Sequence, residues 1–168
     1  MIIKTYKMEG DYDNVRYIIR PEGEKTLVVV GCNPSTASDL KGDPTLGNTQ
    51  RIAEKNGYDS LVMINLYPQR TPSTDKLHNE LNEDLHKENL KHVLAVLKDL
   101  DKADVMLAYG GLMGKRKYLR QCLNDIVAEI KPYVNKFACF GVNGDGAPKH
   151  PCPRTGLPQD VSLKEYKL

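Results

Sequence analysis

The chain has 168 residues, with 24 Lys and Arg against 22 Asp and Glu and a formal net charge of +2. That length suits a single domain over residues 1–168, burying roughly 70% of the surface its unfolded form exposes. The balanced charge, with a sequence pI near 8.3, does not announce a nucleic-acid binder, whose domain pI is typically above about 9.

Residues 2–7 and 15–20 alternate as two strands around the turn-like Glu9-Gly-Asp-Tyr-Asp-Asn14, predicting an N-terminal antiparallel meander. Thr26-Leu-Val-Val-Val-Gly31 is a third, more buried strand, and Cys32-Asn-Pro-Ser-Thr36 follows it. Pro34 withdraws a backbone donor and biases Asn33 toward an extended or turn conformation, so the Asn33 amide leaves the strand end. Lys41-Gly-Asp-Pro-Thr45 leads into a helix with Asp43 as N-cap and Pro44 at its first position, ending near Asn56-Gly57. Leu61–Leu66 is the next buried strand, and residues 75–100 are expected to be mostly helical, with Leu90, Val93, Leu94, Leu97 and Leu100 at helical spacing. Val105–Tyr109 is a strand stopped by Gly110-Gly111. A helix through Tyr118–Ile130 closes at Pro132, and Lys136–Phe140 is the last predicted strand.

Strands alternating with helices predict an α/β fold of three layers, α/β/α, with a mainly parallel central sheet plus the N-terminal antiparallel strands. The strand exits then share one edge. Gly31 and Asn33 stand there with Ser35 and Thr36, Asn65 with Arg70, Tyr109 and Gly110 with Lys115, and the loop bearing His150 completes the set. Such an edge is where α/β sheets bind ligands.

Each motif has a plain reading beside its functional one. Gly110-Gly-Leu-Met-Gly-Lys115 is one residue short of a Walker loop and is followed by Arg116 where that loop needs a hydroxyl; its backbone donors suit either an anion or simple helix capping. Lys115, Arg116, Lys117 and Arg120 read as a solvated helix face before a phosphate contact. Asp43 is placed to orient a water or act as general base, with capping its plainer role. His150 lies among Pro148, Pro151 and Pro153, in a rigid loop that aims its imidazole, whereas Cys152 reads as a packing thiol. The four cysteines form no C-x-x-C pair, and no signal peptide or long apolar stretch is present, so a reduced cytoplasmic protein without a membrane span is expected. The histidines show no ligand spacing, and no metal or cofactor is expected.

Taken in order, Gly31-Cys-Asn-Pro-Ser35, a strand ending Ile64-Asn65, Leu107-Ala-Tyr-Gly110 and His150-Pro-Cys-Pro153 resemble the motif order of the uracil-DNA glycosylase superfamily. The combination N-P-S-T, D-P-T, N-L-[FY], R-x-T and G-x-P-x-H-P is also similar to a small bacterial family of unknown function, domain of unknown function 1643, from about residue 12 to residue 154. The first resemblance implies a uracil-DNA glycosylase-like fold and a hydrolase acting on the N-glycosidic bond of a nucleotide or of a modified base in nucleic acid. Asn33 would hold the attacking water and His150 would stabilise charge on the departing base. Asn65 would read the base edge, Tyr109 or Tyr67 would offer a stacking face, and backbone amides near Ser35 and Lys115 would touch phosphate. The chain departs from the superfamily at Cys152, where Ser is usual, and lacks an apolar wedge after it, which favours a substrate needing no wedge: a free nucleotide, a modified base or a single strand. The alternatives are a non-catalytic nucleotide or nucleic-acid binding module on the same fold, and a structural protein whose strand-end polar groups only satisfy turns.

Overall fold

Side chains alternate across a strand, so strands apolar on both faces must be covered on both. The computed structural model describes residues 6–11, 13–21, 23–35 and 43–168. Its elements are β1 (Tyr6–Gly10), β2 (Arg16–Pro21), β3 (Thr26–Gly31), α1 (Pro44–Lys55), β4 (Ser60–Asn65), α2 (Glu83–Leu100), β5 (Ala103–Leu107), α3 (Tyr118–Ile130), β6 (Val134–Cys139) and β7 (Lys164–Glu165). Short 3-10 turns occupy Thr74–Lys76, Gly110–Lys115 and Lys131–Tyr133.

All seven strands form one sheet in the order β1-β2-β4-β3-β5-β6-β7. The four central strands are parallel; β1 and β2 add antiparallel pairings at one edge and β7 adds one at the other. Val28, Val30, Val62, Ile64, Val105 and Leu107 join the core under α2 and α3. Their neighbours Leu27, Val29, Leu61, Met63 and Met106 join the core under α1. The expected mixed α/β architecture with helices on both faces is therefore present, with an asymmetry. Among the described helices α1 alone covers the second face, and Leu157, Val161 and Leu163 of the C-terminal segment complete it.

The path of the chain locates the crevice. β3 passes through α1 to β4 on one side, and β4 passes through α2 on the opposite face to β5 on the other side of β3. The connections thus diverge between β3 and β5, which is where open α/β sheets leave room beyond their carboxyl ends.

The boundaries follow local chemistry. Asp43 accepts from the Leu46 amide at 2.8 Å, Pro44 takes the first turn of α1, and the chain leaves the helix through Asn56 and Gly57, the latter at φ 81°. The long helix expected over 75–100 starts only at Glu83. Ser73 caps the short turn at Thr74–Lys76, and Asn82 accepts from the Leu85 amide at 3.0 Å to begin α2. His86 Nε2 then ties α2 to Asp125 Oδ2 on α3 at 2.8 Å. β7 was not anticipated, since two residues carry no readable period. Of the first predicted strand, residues 2–5 lie outside the described residues.

Two substitutions separate capping from packing. Asn82→Ala removes one cap and should lower unfolding free energy by about 1 kcal/mol, whereas Leu97→Ala in the α2 core should cost about 2–5 kcal/mol. Urea unfolding of both variants checks the order; equal losses would remove the distinction.

Candidate functional site

At the end of β3 the backbone comes unusually close to a side chain. Gly31 and Asn65 are register partners in the parallel β3–β4 ladder, and a Cβ at Gly31 would lie 2.6 Å from Asn65 Oδ1. Only glycine leaves space for that amide. Asn65 is 1% exposed, and its Nδ2 is buried without a hydrogen-bond partner among the described residues. Its backbone carbonyl is fixed by Asn89 Nδ2 of α2 at 3.0 Å.

Asn33 projects just beyond. Its Nδ2 donates to the carbonyls of Pro34 at 3.1 Å and Thr71 at 3.0 Å, while the Thr71 amide donates back to the Pro34 carbonyl at 3.0 Å. Carbonyls only accept, so the nitrogen must face them and the Asn33 Oδ1 is the end left for a ligand.

His150 arrives on a loop folded back over β5 and β6. The Gly110 amide donates to the Pro148 carbonyl at 3.0 Å and the Lys149 amide to the Gly141 carbonyl at 2.9 Å. Asn48 Nδ2 of α1 holds the Pro151 carbonyl at 3.2 Å. Gly110, at φ 70°, lets the loop pass, because a Cβ there would be 3.1 Å from the His150 Cβ. Burial pushes the His150 pKa below its ordinary value, with the nearby Asp43 charge acting the other way. The imidazole is therefore neutral at pH 7 and keeps one N–H to donate.

A cavity of about 550 Å³ brings most of the expected residues together: Gly31, Asn33, Ser35, Asp43, Asn65, Tyr109, Lys115 and His150 all line it. Thr36 lies outside the described residues. Arg70 does not reach the cavity; its Nη1 instead meets Met8 Sδ at 3.5 Å on the β1–β2 hairpin. Gly110 shapes the His150 loop and is not itself part of the lining. The glycine-rich segment is a 3-10 turn, and α3 starts later, at Tyr118, so no α-helix opens at those glycines. Two members of the basic cluster are also neither purely solvated nor free for phosphate. Lys115 Nζ pairs with Asp75 Oδ1 at 3.0 Å, holding that carboxyl below its ordinary pKa, and Arg116 donates to the carbonyls of Asp75, Leu77, His78 and Lys115. Tyr67 has no exposed surface and bonds His78 Nδ1 through its hydroxyl at 2.7 Å. Tyr109 is only 2% exposed, and burial followed by the Tyr166 hydroxyl raises its phenol to about 12. Neither ring offers the open stacking face expected.

Sequence reasoning missed Arg16, Cys32 and Arg154, which also line the cavity, as does Cys152, read from the sequence as a packing thiol. β2 runs antiparallel to β4, so its first residue, not its last, lies at the carboxyl edge; the Arg16 amide donates to the Pro68 carbonyl at 2.9 Å. The one available signal was a charged residue at the head of the apolar strand Val15-Arg-Tyr-Ile-Ile19. Burial lowers the Arg16 pKa to about 10 against the raising influence of Asp43, leaving the guanidinium charged at pH 7. Burial pushes the Cys32 thiol up to about 12, so it is protonated and a poor nucleophile.

Two outcomes follow from this geometry. Gly31→Ala should destabilise the fold by about 1–3 kcal/mol because Asn65 must move; an unchanged denaturation midpoint would mean that the amide relocates freely. Because the unfolded His150 binds a proton near pH 6.5 while the folded one resists it, stability should fall as pH drops below about 6.5 until the folded pKa is passed. His150→Gln should flatten that part of the stability–pH curve, measured by thermal unfolding from pH 8 to pH 5.

No curated protein and no solved structure matched the chain. One family matched, over residues 16–152, and its span runs from the head of β2, where Arg16 enters the cavity, through the loop that carries His150 and Cys152. The chain therefore belongs to the family described as Protein of unknown function (DUF1643).

Proposed function

We propose that the protein is a glycosylase-like hydrolase that cleaves the N-glycosidic bond of a nucleotide or of a modified base in nucleic acid, on a uracil-DNA glycosylase-like version of its α/β fold. The observation that carries this reading is the meeting of Asn33, Asn65 and His150 in one cavity, with the Asn65 Nδ2 buried and unpartnered among the described residues. A buried amide without a partner is costly unless a ligand supplies one. The three residues also occupy the positions at which the sequence resembles that superfamily.

In this mechanism the base enters beside Gly31, where Asn65 pairs with its polar edge. Asn33 Oδ1 accepts from a water and holds it toward the sugar C1′. The C1′–N bond breaks, its electron pair leaves with the base, and the sugar becomes oxocarbenium-like before water oxygen bonds to C1′. The neutral His150 donates a hydrogen bond to the oxygen that gains charge, without transferring its proton. The proton lost by water passes to the Asp43 carboxylate, whose helix-capping bond leaves acceptor capacity, and from there to the departed base through solvent.

A specific observation favours a second reading, a binding module without chemistry. Of the carboxylates lining the cavity, Asp43 caps α1 and Asp75 pairs with Lys115, so no strong base stands uncommitted among the described residues. Incubation with uracil-containing oligonucleotides, modified-base oligonucleotides and free nucleotides separates the two. The hydrolase reading expects release of a free base, slowed about 100-fold or more by Asn33→Ala and by His150→Ala. Saturable binding by calorimetry with every substrate intact would leave the module reading alone, and absence of both binding and turnover would sink both.

A further inference from the structure

The cavity holds two cations that the proposed glycosidic chemistry does not use. Arg16 is 3% exposed at the head of β2, and Arg154 is exposed two residues beyond Cys152 at the cavity mouth. Both line the same space as Asn65 and His150.

The neighbouring charges narrow their role. Lys115 is matched by Asp75 at 3.0 Å, and Arg116 is spread over four backbone carbonyls, so these side chains already have protein partners. Among the described lining residues, Arg16, Lys115 and Arg154 carry three positive charges against two negative ones on Asp43 and Asp75, which leaves one positive charge in excess there with His150 neutral. Burial and the nearby Arg70 charge work against the buried Arg16 guanidinium while Asp43 supports it, and a second anion would add to that support. Guanidinium groups also match phosphate oxygens through paired N–H donors.

The same accounting disfavours a polymer. Tracking a nucleic-acid backbone takes a succession of cations along a groove, whereas of the basic cluster Lys115 alone lines this cavity, and it and Arg116 are tied to Asp75 and to carbonyls. A volume of about 550 Å³, with Thr71–Asp75 and Cys152–Arg154 in its lining, suits one small ligand.

We propose that Arg16 and Arg154 form a phosphate subsite and that the ligand of this cavity is a free nucleoside monophosphate, its base at Asn65 and its phosphate between the two guanidinium groups. This rests on the proposed base-binding role of Asn65 and His150 for the base half only. The dianionic terminal phosphate meets the two arginines, and no residue need displace the Lys115–Asp75 pair.

Calorimetry on the full chain tests it with four probes: pyrimidine and purine nucleosides, their 5′-monophosphates, inorganic phosphate, and a short single-stranded oligonucleotide. At least one monophosphate should bind about tenfold or more tighter than its own nucleoside, and Arg154→Ala should shrink that ratio about tenfold. Because Arg154 is exposed, this variant keeps its fold, which circular dichroism verifies; Arg16→Lys, which retains charge but loses the fork, should shrink the ratio as well. Equal affinity for nucleoside and monophosphate overturns the phosphate subsite while leaving the base reading standing. Arg154-dependent binding of monophosphate and phosphate, with no binding of any nucleoside and no base released, supports the subsite and overturns the base reading instead. An oligonucleotide that binds more tightly than every monophosphate overturns the free-nucleotide assignment.

Discussion

The close approach of Asn65 to Gly31 is the constraint around which the cavity is built. In a parallel ladder, register partners point to the same face, so the side chain of Asn65 must cross its neighbour where β3 ends. With any other residue at position 31 the Cβ would occupy the place of the amide oxygen. The result is a polar group placed by two central strands, the most rigid part of the sheet, with its carbonyl further held from α2 by Asn89. Precision at such a site comes from regular elements more than from loops.

The remaining walls are loops, and each is tied down by backbone hydrogen bonds. The exit of β3 is laced to the 70s segment by Asn33 and Thr71, which share the carbonyl of Pro34. Arg116 then gathers three successive parts of that segment, the carbonyls of Asp75, Leu77 and His78, and so fixes its position against the start of α3. On the other side, α1 reaches the His150 loop through Asn48 and the Pro151 carbonyl. Each of these contacts helps to determine where a cavity group points.

What the sequence revealed and what it hid divide along a physical line. Strands β3, β4 and β5 were legible because buried parallel strands read as continuous apolar runs, and α1 was legible because Asp43-Pro44 is a local start signal. The meeting of Asn33, Asn65 and His150 was also readable, since parallel strands in one sheet deliver their carboxyl ends to one edge. Arg16 was hidden because strand direction is a property of the whole sheet: an antiparallel neighbour brings its first residue to that edge, and nothing within residues 15–20 encodes its direction. Arg70 and Arg116 were misplaced for a related reason. A long cationic side chain is settled by whichever carbonyls or sulfur atoms the fold puts within reach, as Met8 and the 70s carbonyls are here.

The electrostatics of the cavity separate into two halves. Around Asn33, Asn65 and His150 the polar groups are neutral amides and an imidazole that burial keeps uncharged, which suits reading hydrogen bonds and stabilising charge only as it develops. Arg16 and Arg154 supply fixed positive charge in the same space, and Asp43 lies between these regimes, acting electrostatically on both Arg16 and His150 while its carboxylate caps α1. Burial lowers both the His150 pKa and that of Arg16, so a neutral imidazole and a still-charged guanidinium are compatible consequences of one desolvated site. Moving a proton onto Asp43 weakens its support for Arg16, and a bound phosphate would offset that loss. The proposed chemistry at the neutral half and the proposed anion binding at the positive half are thereby linked through a single carboxylate.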